Sequence, residues 1–209
     1  MVKGTKTHTI QELPDGLTPK ARKQRQSYQQ RYEQRLEKML MAISLDVLVW
    51  GPAVHLETPL AIKRRAIYNE LKRIGHNAMF SEEVKSTKKT LPTPEANYPL
   101  SLRELAQAID AHYIVVLLDR TTQGATSELD ICIRRDIAAK VFVMVHKDCE
   151  EGYTHLAAIK MIEGGNGAIY WYTDIELETC NVLTMAIQRV ELRRAQYAYQ
   201  KAMREGSCP

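Results

Sequence analysis

Glu128 is the residue of this chain best placed by type and position to do chemistry. It lies in the stretch from Asp110 to Val145, DAHYIVVLLDRTTQGATSELDICIRRDIAAKVFVMV. An apolar run, Tyr113 to Leu118, ends in a polar turn containing Gly124. Glu128 then opens a helix that leads to a second apolar run, Val141 to Val145. Short apolar runs alternating with helices predict a parallel sheet, and such sheets bind ligands outside the carboxyl ends of their strands. In the first turn of a helix, unpaired N–H groups and the helix dipole favour negative charge. The sequence therefore predicts an ionised Glu128 able to act as a nucleophile. The plainer alternative is a first-turn acid that only stabilises its helix. A capping box is a poor form of that alternative, because Ala125 stands three residues before and cannot cap.

Other polar residues fall at predicted strand ends. Gly51 and Pro52 follow the first strand, and a glycine there lets backbone approach a ligand. Ser81 and Glu82 follow the second strand, and Asp119 and Arg120 end the third; each could equally be loop filler. Lys63, Arg64 and Arg65 are three adjacent cations that cannot share one helix face, so at most one or two could reach the crevice, and a solvated face is the plainer account. Trp171 and Tyr172 end the fifth strand, where stacking on a base competes with a core role. No phosphate-binding G-x-x-x-x-G-K-[ST] loop, G-x-G-x-x-G fingerprint or G-x-S-x-G elbow occurs. The six histidines show no metal-ligand spacing, so neither a metal nor a cofactor is expected.

The elements that must position these residues follow from periodicity. Helix is predicted from Pro19, after a Thr18 cap, to about Ser44, with Tyr28, Tyr32, Leu36, Met39, Leu40 and Ile43 forming one stripe. Then come strand Asp46–Trp50, helix Leu60–Ile74 stopped by Gly75, and strand Asn77–Phe80. A long polar loop with three prolines runs from Ser81 to Pro99. Helix Ser101–Ala111 is read as starting in a Ser101–Glu104 capping box. Strand Tyr113–Leu118, helix Thr126–Ala139 and strand Val141–Val145 follow. A short helix over Tyr153–Glu163, strand Ala168–Tyr172 and one long helix from Ile175 to Arg204 complete the chain. The predicted architecture is α/β, a five-stranded parallel flavodoxin-like sheet of order 2-1-3-4-5. The predicted division is a basic helical arm (1–45), an α/β domain (46–174) and a C-terminal helix (175–209) packing on that domain or on a partner.

Composition limits the classes. With 209 residues and 44% hydrophobic content, the chain can bury a core. No apolar run reaches the roughly 20 residues of a membrane span, so no membrane partner is expected. Four widely spaced cysteines, without a C-x-x-C pair, fit a reducing cytoplasm; Cys132 reads as core. Residues 1–45 carry nine Lys/Arg against four Asp/Glu, and the remainder 20 against 21. The basic character thus belongs to the arm, as a solvated helix or as a contact for nucleic acid or another acidic partner.

Three segments resemble the nucleoside 2-deoxyribosyltransferases and the related nucleotide N-glycosidases. VLVWGPA (47–53) is similar to the family's strand-Gly-Pro opening, AIDAHYIVVLLD (108–119) to its helix-then-strand, and GATSELDICIRRDIAAKVFVMV (124–145) to its glycine-x-x-x-glutamate helix and following strand. The resemblance spans residues 46–172. Toll/interleukin-1 receptor-like enzymes also place a glutamate in a comparable helix. The resemblance implies that Glu128 attacks the anomeric carbon of a ribosyl or deoxyribosyl group while the base departs. It implies that Asp119 holds sugar hydroxyls or orients the base, that Gly51 lines the sugar pocket, and that Ser127 lies near a 5′-phosphate. With Arg120 nearby, a nucleotide is implied over a free nucleoside. Ala53-Val54-His55 depart from the family's aromatic continuation. The helical additions suggest a homo-oligomer or a partner protein, as for a toxin-like effector held by another macromolecule. Three functions follow as expectations: a base–sugar glycosidase or transferase, a glycohydrolase of NAD, and a non-catalytic nucleotide-binding assembly module.

Overall fold

A computed structural model describes residues 18–83, 99–122, 125–150 and 156–204. The strands are β1 (Asp46–Trp50), β2 (Asn77–Phe80), β3 (Tyr113–Leu118), β4 (Val141–His146) and β5 (Ala168–Tyr172). All neighbouring pairs are parallel, in the order β2-β1-β3-β4-β5. This is the predicted flavodoxin-like sheet. Every residue of β3 and β4 is buried, as expected where helices cover both faces of a parallel sheet.

Alternation along the strands sorts the core into two layers. Val47, Val49, Val115, Leu117, Phe142 and Met144 face one side, together with Leu60, Ile67 and Leu71 of α2 (Pro59–Arg73). Val182, Ala186 and Val190 of a helix near the C-terminus join that layer. Leu48, Trp50, Ile114, Val116, Leu118, Val143 and Val145 face the other side. There they meet α3 (Leu100–Asp110), α4 (Ala125–Cys132), α5 (Arg135–Ala138) and α6 (Leu156–Gly164). Each fully buried Leu, Ile or Val side chain contributes about 1.5–3 kcal/mol relative to exposure. The crossovers change face between β1 and β3, so the topological switch point lies where those two strands end.

Local signals explain the helix ends. Thr58 accepts a hydrogen bond from the Ala61 N–H and Pro59 takes the first helical position of α2, while Gly75, at φ +93°, turns the chain after it. Three expectations are corrected. The helix predicted over Thr126–Ala139 is two, α4 and α5, because Arg134 is extended (φ −65°, ψ 134°) between them. The C-terminal helix is also two. α7 (Asp174–Glu178) starts in a capping box between Thr173 and Glu176, and the extended Thr179 (ψ −176°) separates it from α8 (Asn181–Arg204). α3 has no such box: Pro99 precedes it without a side-chain cap, and Glu104 is buried instead.

The chain divides into two compact units, Met1–Leu40 and Met41–Pro209. The first holds nearly all of α1 (Pro19–Met41), with Tyr28 and Tyr32 exposed. In the second, α8 packs on α2, β3 and β4, so the C-terminal helix belongs to the α/β domain. Among the described residues, no helix is long and apolar enough to cross a membrane.

Candidate functional site

The carboxyl edge of the sheet is organised around Arg64, whose side chain is fully buried. Its Nε and Nη2 donate to the Val49 carbonyl at 3.1 and 2.7 Å, and Nη1 donates to the Pro52 carbonyl at 2.8 Å. The same guanidinium grips Glu82 with two bonds, Nη1 to Oε1 at 2.8 Å and Nη2 to Oε2 at 2.9 Å. It also lies 4.8 Å from the centre of the Phe80 ring. One side chain thus clamps the turn after β1 to the turn after β2. The planar fork suits this task as a lysine would not. A solvated face was the plainer expectation for the three cations, with room for one or two at the crevice; Arg64 is the one the apolar residues of α2 turn inward, among Leu60, Ile67 and Leu71. Lys63 and Arg65 go elsewhere, to the Thr179 carbonyl and to the carbonyls of Val54 and Leu56.

Gly51 stands at φ +148°, and a Cβ there would lie 3.1 Å from the Leu117 carbonyl oxygen. Both facts require glycine. The close approach brings the ends of β1 and β3 together at the switch point. Pro52 follows with its carbonyl held by Arg64.

Glu128 lies in the first turn of α4 and is only 6% exposed. Burial pushes its carboxyl up to about 8; nearby Glu104 and Glu82 push the same way, against the Arg64 charge and a Ser81 hydrogen bond. This corrects the expectation of an ionised carboxylate: desolvation outweighs the helix terminus. At neutral pH the group is mainly protonated. Its Oε2 has no hydrogen-bond partner among the described residues.

Ser81 links the acids. Its hydroxyl donates to Glu82 Oε2 at 3.1 Å, and its carbonyl accepts from Gln107 Nε2 at 3.3 Å. A hydroxyl has one proton and two lone pairs. While that proton goes to Glu82, a protonated Glu128 can donate to Ser81 Oγ. When Glu128 ionises, the Ser81 proton can turn to it instead. Ser81 thus stands between Glu128 and the Glu82–Arg64 pair. Glu104 and Gln107, both on the buried face of α3, complete the surroundings. Reading Glu104 as a cap concealed it; the i, i+3 pair Glu104/Gln107 inside an apolar pattern was the available signal.

Other predicted residues stand apart. Asp119 Oδ1 accepts from the Thr121 N–H at 2.9 Å and from the hydroxyls of Thr121 and Thr122 at 2.8 and 2.5 Å. That carboxylate is occupied in closing its own loop. Arg120 Nε donates to the Asp148 carbonyl at 2.6 Å, which ties the loop after β3 to the turn after β4. Gly124 lies outside the described residues, and Ser127 is placed only as a residue of the first turn of α4. Tyr172 is core: its hydroxyl donates to the Leu118 carbonyl at 2.9 Å. Beside it, His146 Nδ1 accepts from the Asp148 N–H at 3.2 Å, and Nε2 lies 3.3 Å from Asp174 without hydrogen-bond alignment. Cys132 is buried, as expected, and burial beside Glu128 holds its thiol far above the usual range. No cluster of metal-ligating side chains occurs among the described residues. Neither a known family model nor a curated protein matches this chain.

Proposed function

We propose that this protein cleaves the base–sugar bond of a nucleotide or nucleoside, with Glu128 as nucleophile. The supporting observation is a buried carboxyl at the switch point that keeps one oxygen without a partner. After losing its proton, Glu128 attacks the anomeric carbon. The glycosidic bond breaks with its electron pair leaving on the base, which takes a proton from solvent. Water then attacks the same carbon, loses a proton and frees Glu128. A second nucleobase in place of water would make the reaction a transfer. Once ionised, a carboxylate beside the anomeric carbon also stabilises the positive charge of an oxocarbenium-like transition state.

A second reading, glycohydrolysis of NAD, is favoured by the charges of the crevice. Glu82 and Glu104 accompany Glu128, and the buried cation beside them, Arg64, is engaged by carbonyls and Glu82. A cationic nicotinamide leaving group fits those surroundings better than a neutral base. Arg120, the group invoked for a phosphate, is committed to Asp148.

Chromatography of free bases after incubation with pooled nucleotides, deoxynucleotides and NAD tests both readings. Base release lost in Glu128→Gln supports the first, and nicotinamide alone supports the second. Undiminished release by the variant would overturn the role of Glu128. Because its carboxyl is raised to about 8, a nucleophilic Glu128 predicts kcat/KM rising with pH until about that value. A fall in rate above it would instead make Glu128 a general acid.

A further inference from the structure

The opposite, amino edge of the sheet carries a cavity of about 110 Å³ between α8 and the first residues of β3, β4 and β5. Tyr113, Asn166, Arg189, Leu192, Arg193 and Gln196 line it, and no Asp or Glu does. Arg189 and Arg193 are one turn apart on α8 and converge on this space. Like charges at that spacing repel by a few tenths of a kcal/mol on a helix surface, and a carboxylate is the usual remedy. Neither guanidinium forms an ion pair among the described residues. Arg193 donates to Gln196 Oε1 at 3.4 Å, and Arg189 lies 5.5 Å from the centre of the Phe142 ring, which fixes its height over the core. Both charges reach the buried Tyr113 hydroxyl. Asn166, in the left-handed region at φ +67°, forms the remaining wall at the turn into β5.

We propose that this cavity binds a small oxyanion, inorganic phosphate or the phosphate of a monoester, between Arg189 and Arg193. Two guanidinium forks, a phenol and two carboxamides supply donors on several sides, the pattern that suits a tetrahedral anion. The space is well below the roughly 300–1,000 Å³ of pockets that enclose whole organic ligands. It therefore accommodates the phosphate and leaves any organic group outside. About five strand steps, roughly 17 Å, separate this edge from the Glu128 edge, so the site is independent of the proposed reaction.

The test is isothermal titration of the full chain with sodium phosphate at low ionic strength, beside adenosine monophosphate and a sodium chloride control of matched ionic strength. The expected result is saturable phosphate binding that is unchanged in Glu128→Gln. Arg193→Gln should weaken it by about tenfold, the equivalent of one charge-assisted hydrogen bond. Arg189→Gln combined with Arg193→Gln should abolish it. Because Arg189 packs on the core, circular dichroism checks that the double variant folds, and Arg193→Gln alone still decides the matter if it does not. Equal binding of the nucleotide with the same arginine dependence assigns the site to monoesters, and phosphate binding alone assigns it to the free anion. Heat no greater than that of chloride, or binding indifferent to Arg193→Gln, overturns the proposal.

Discussion

The two ends of the sheet treat polar groups in opposite ways. At the amino edge, side chains close off the strand starts. His76 Nδ1 accepts from the Leu45 N–H at 3.2 Å, His112 Nδ1 accepts from the Asp46 N–H at 3.0 Å, and Lys140 donates to the carbonyls of Ile109 and Ala111. His76 also meets Glu191 across Nε2 at 2.7 Å. At the carboxyl edge, Trp50 Nε1, Gln107 Oε1 and Glu128 Oε2 are buried without hydrogen-bond partners. A buried polar group left unsatisfied costs about 1–3 kcal/mol. The amino edge is closed more fully, although Arg194 Nε is buried there without a partner. The other buries several unpaired polar atoms at the strand ends, the kind of unsatisfied group that native folds keep mostly where function calls for it.

Three experiments break or sharpen that contrast. The largest effect is expected from Arg64→Met, which leaves Glu82 and the Val49 and Pro52 carbonyls without their shared donor. Glu82 is exposed enough to be resolvated, so the cost is that of leaving the Val49 and Pro52 carbonyls unpaired, about 1–3 kcal/mol each, to be read from urea denaturation. A loss below about 1 kcal/mol would show that the clamp is dispensable. The next effect is pH-dependent. The folded-state pKa of Glu128, about 8, exceeds its ordinary 4.5, so the stability it contributes is full below about 4.5 and declines by up to about 1.4 kcal/mol per pH unit towards 8. Glu128→Gln should remove that decline and melt higher than the parent at pH 8.5. A variant that is destabilised there would place the cost of the open edge elsewhere.

The smallest effect belongs to the amino edge. Burial holds the His76 imidazole below its ordinary 6.5, with Arg194 acting the same way and Glu191 opposing. A group whose folded-state pKa is lowered contributes stability that is full above the unfolded value and declines as pH falls through that window. His76→Gln should therefore lose about 1 kcal/mol at pH 7, the worth of one backbone hydrogen bond, and show a flatter acid limb between pH 7 and 5. An acid limb as steep as the parent's would clear His76 of any part in acid sensitivity.

The sheet was legible because β1, β3 and β4 are unbroken apolar runs with turn residues at their ends. Helix interruptions were less visible. Arg134 and Thr179 break their helices through backbone angles, and no glycine or proline marks either place. One cap was misread and another missed: Ser101 with Glu104 and Thr173 with Glu176 share a spacing, and only burial distinguishes an acid that caps from one that faces inward. The same difficulty hid Arg64. A cation within an apolar helix pattern reads as solvated unless its acceptors, here carbonyls and a carboxylate from two other turns, can be foreseen. Glu128 was found from its place after a strand, but its protonation was not, since burial is a property of the whole fold.

The bond from Tyr172 to the Leu118 carbonyl gives the outer strand an unusual grip. β5 is one border of the sheet, and border strands are the ones that peel away first during partial opening. Its terminal hydroxyl reaches past β4 to the end of β3, where the Asp119 loop begins. Peeling the border therefore also releases an anchor beside the crevice. That bond links fraying at the rim to loosening of the central strand's exit, and amide exchange at the rim is expected to track the loop that follows it.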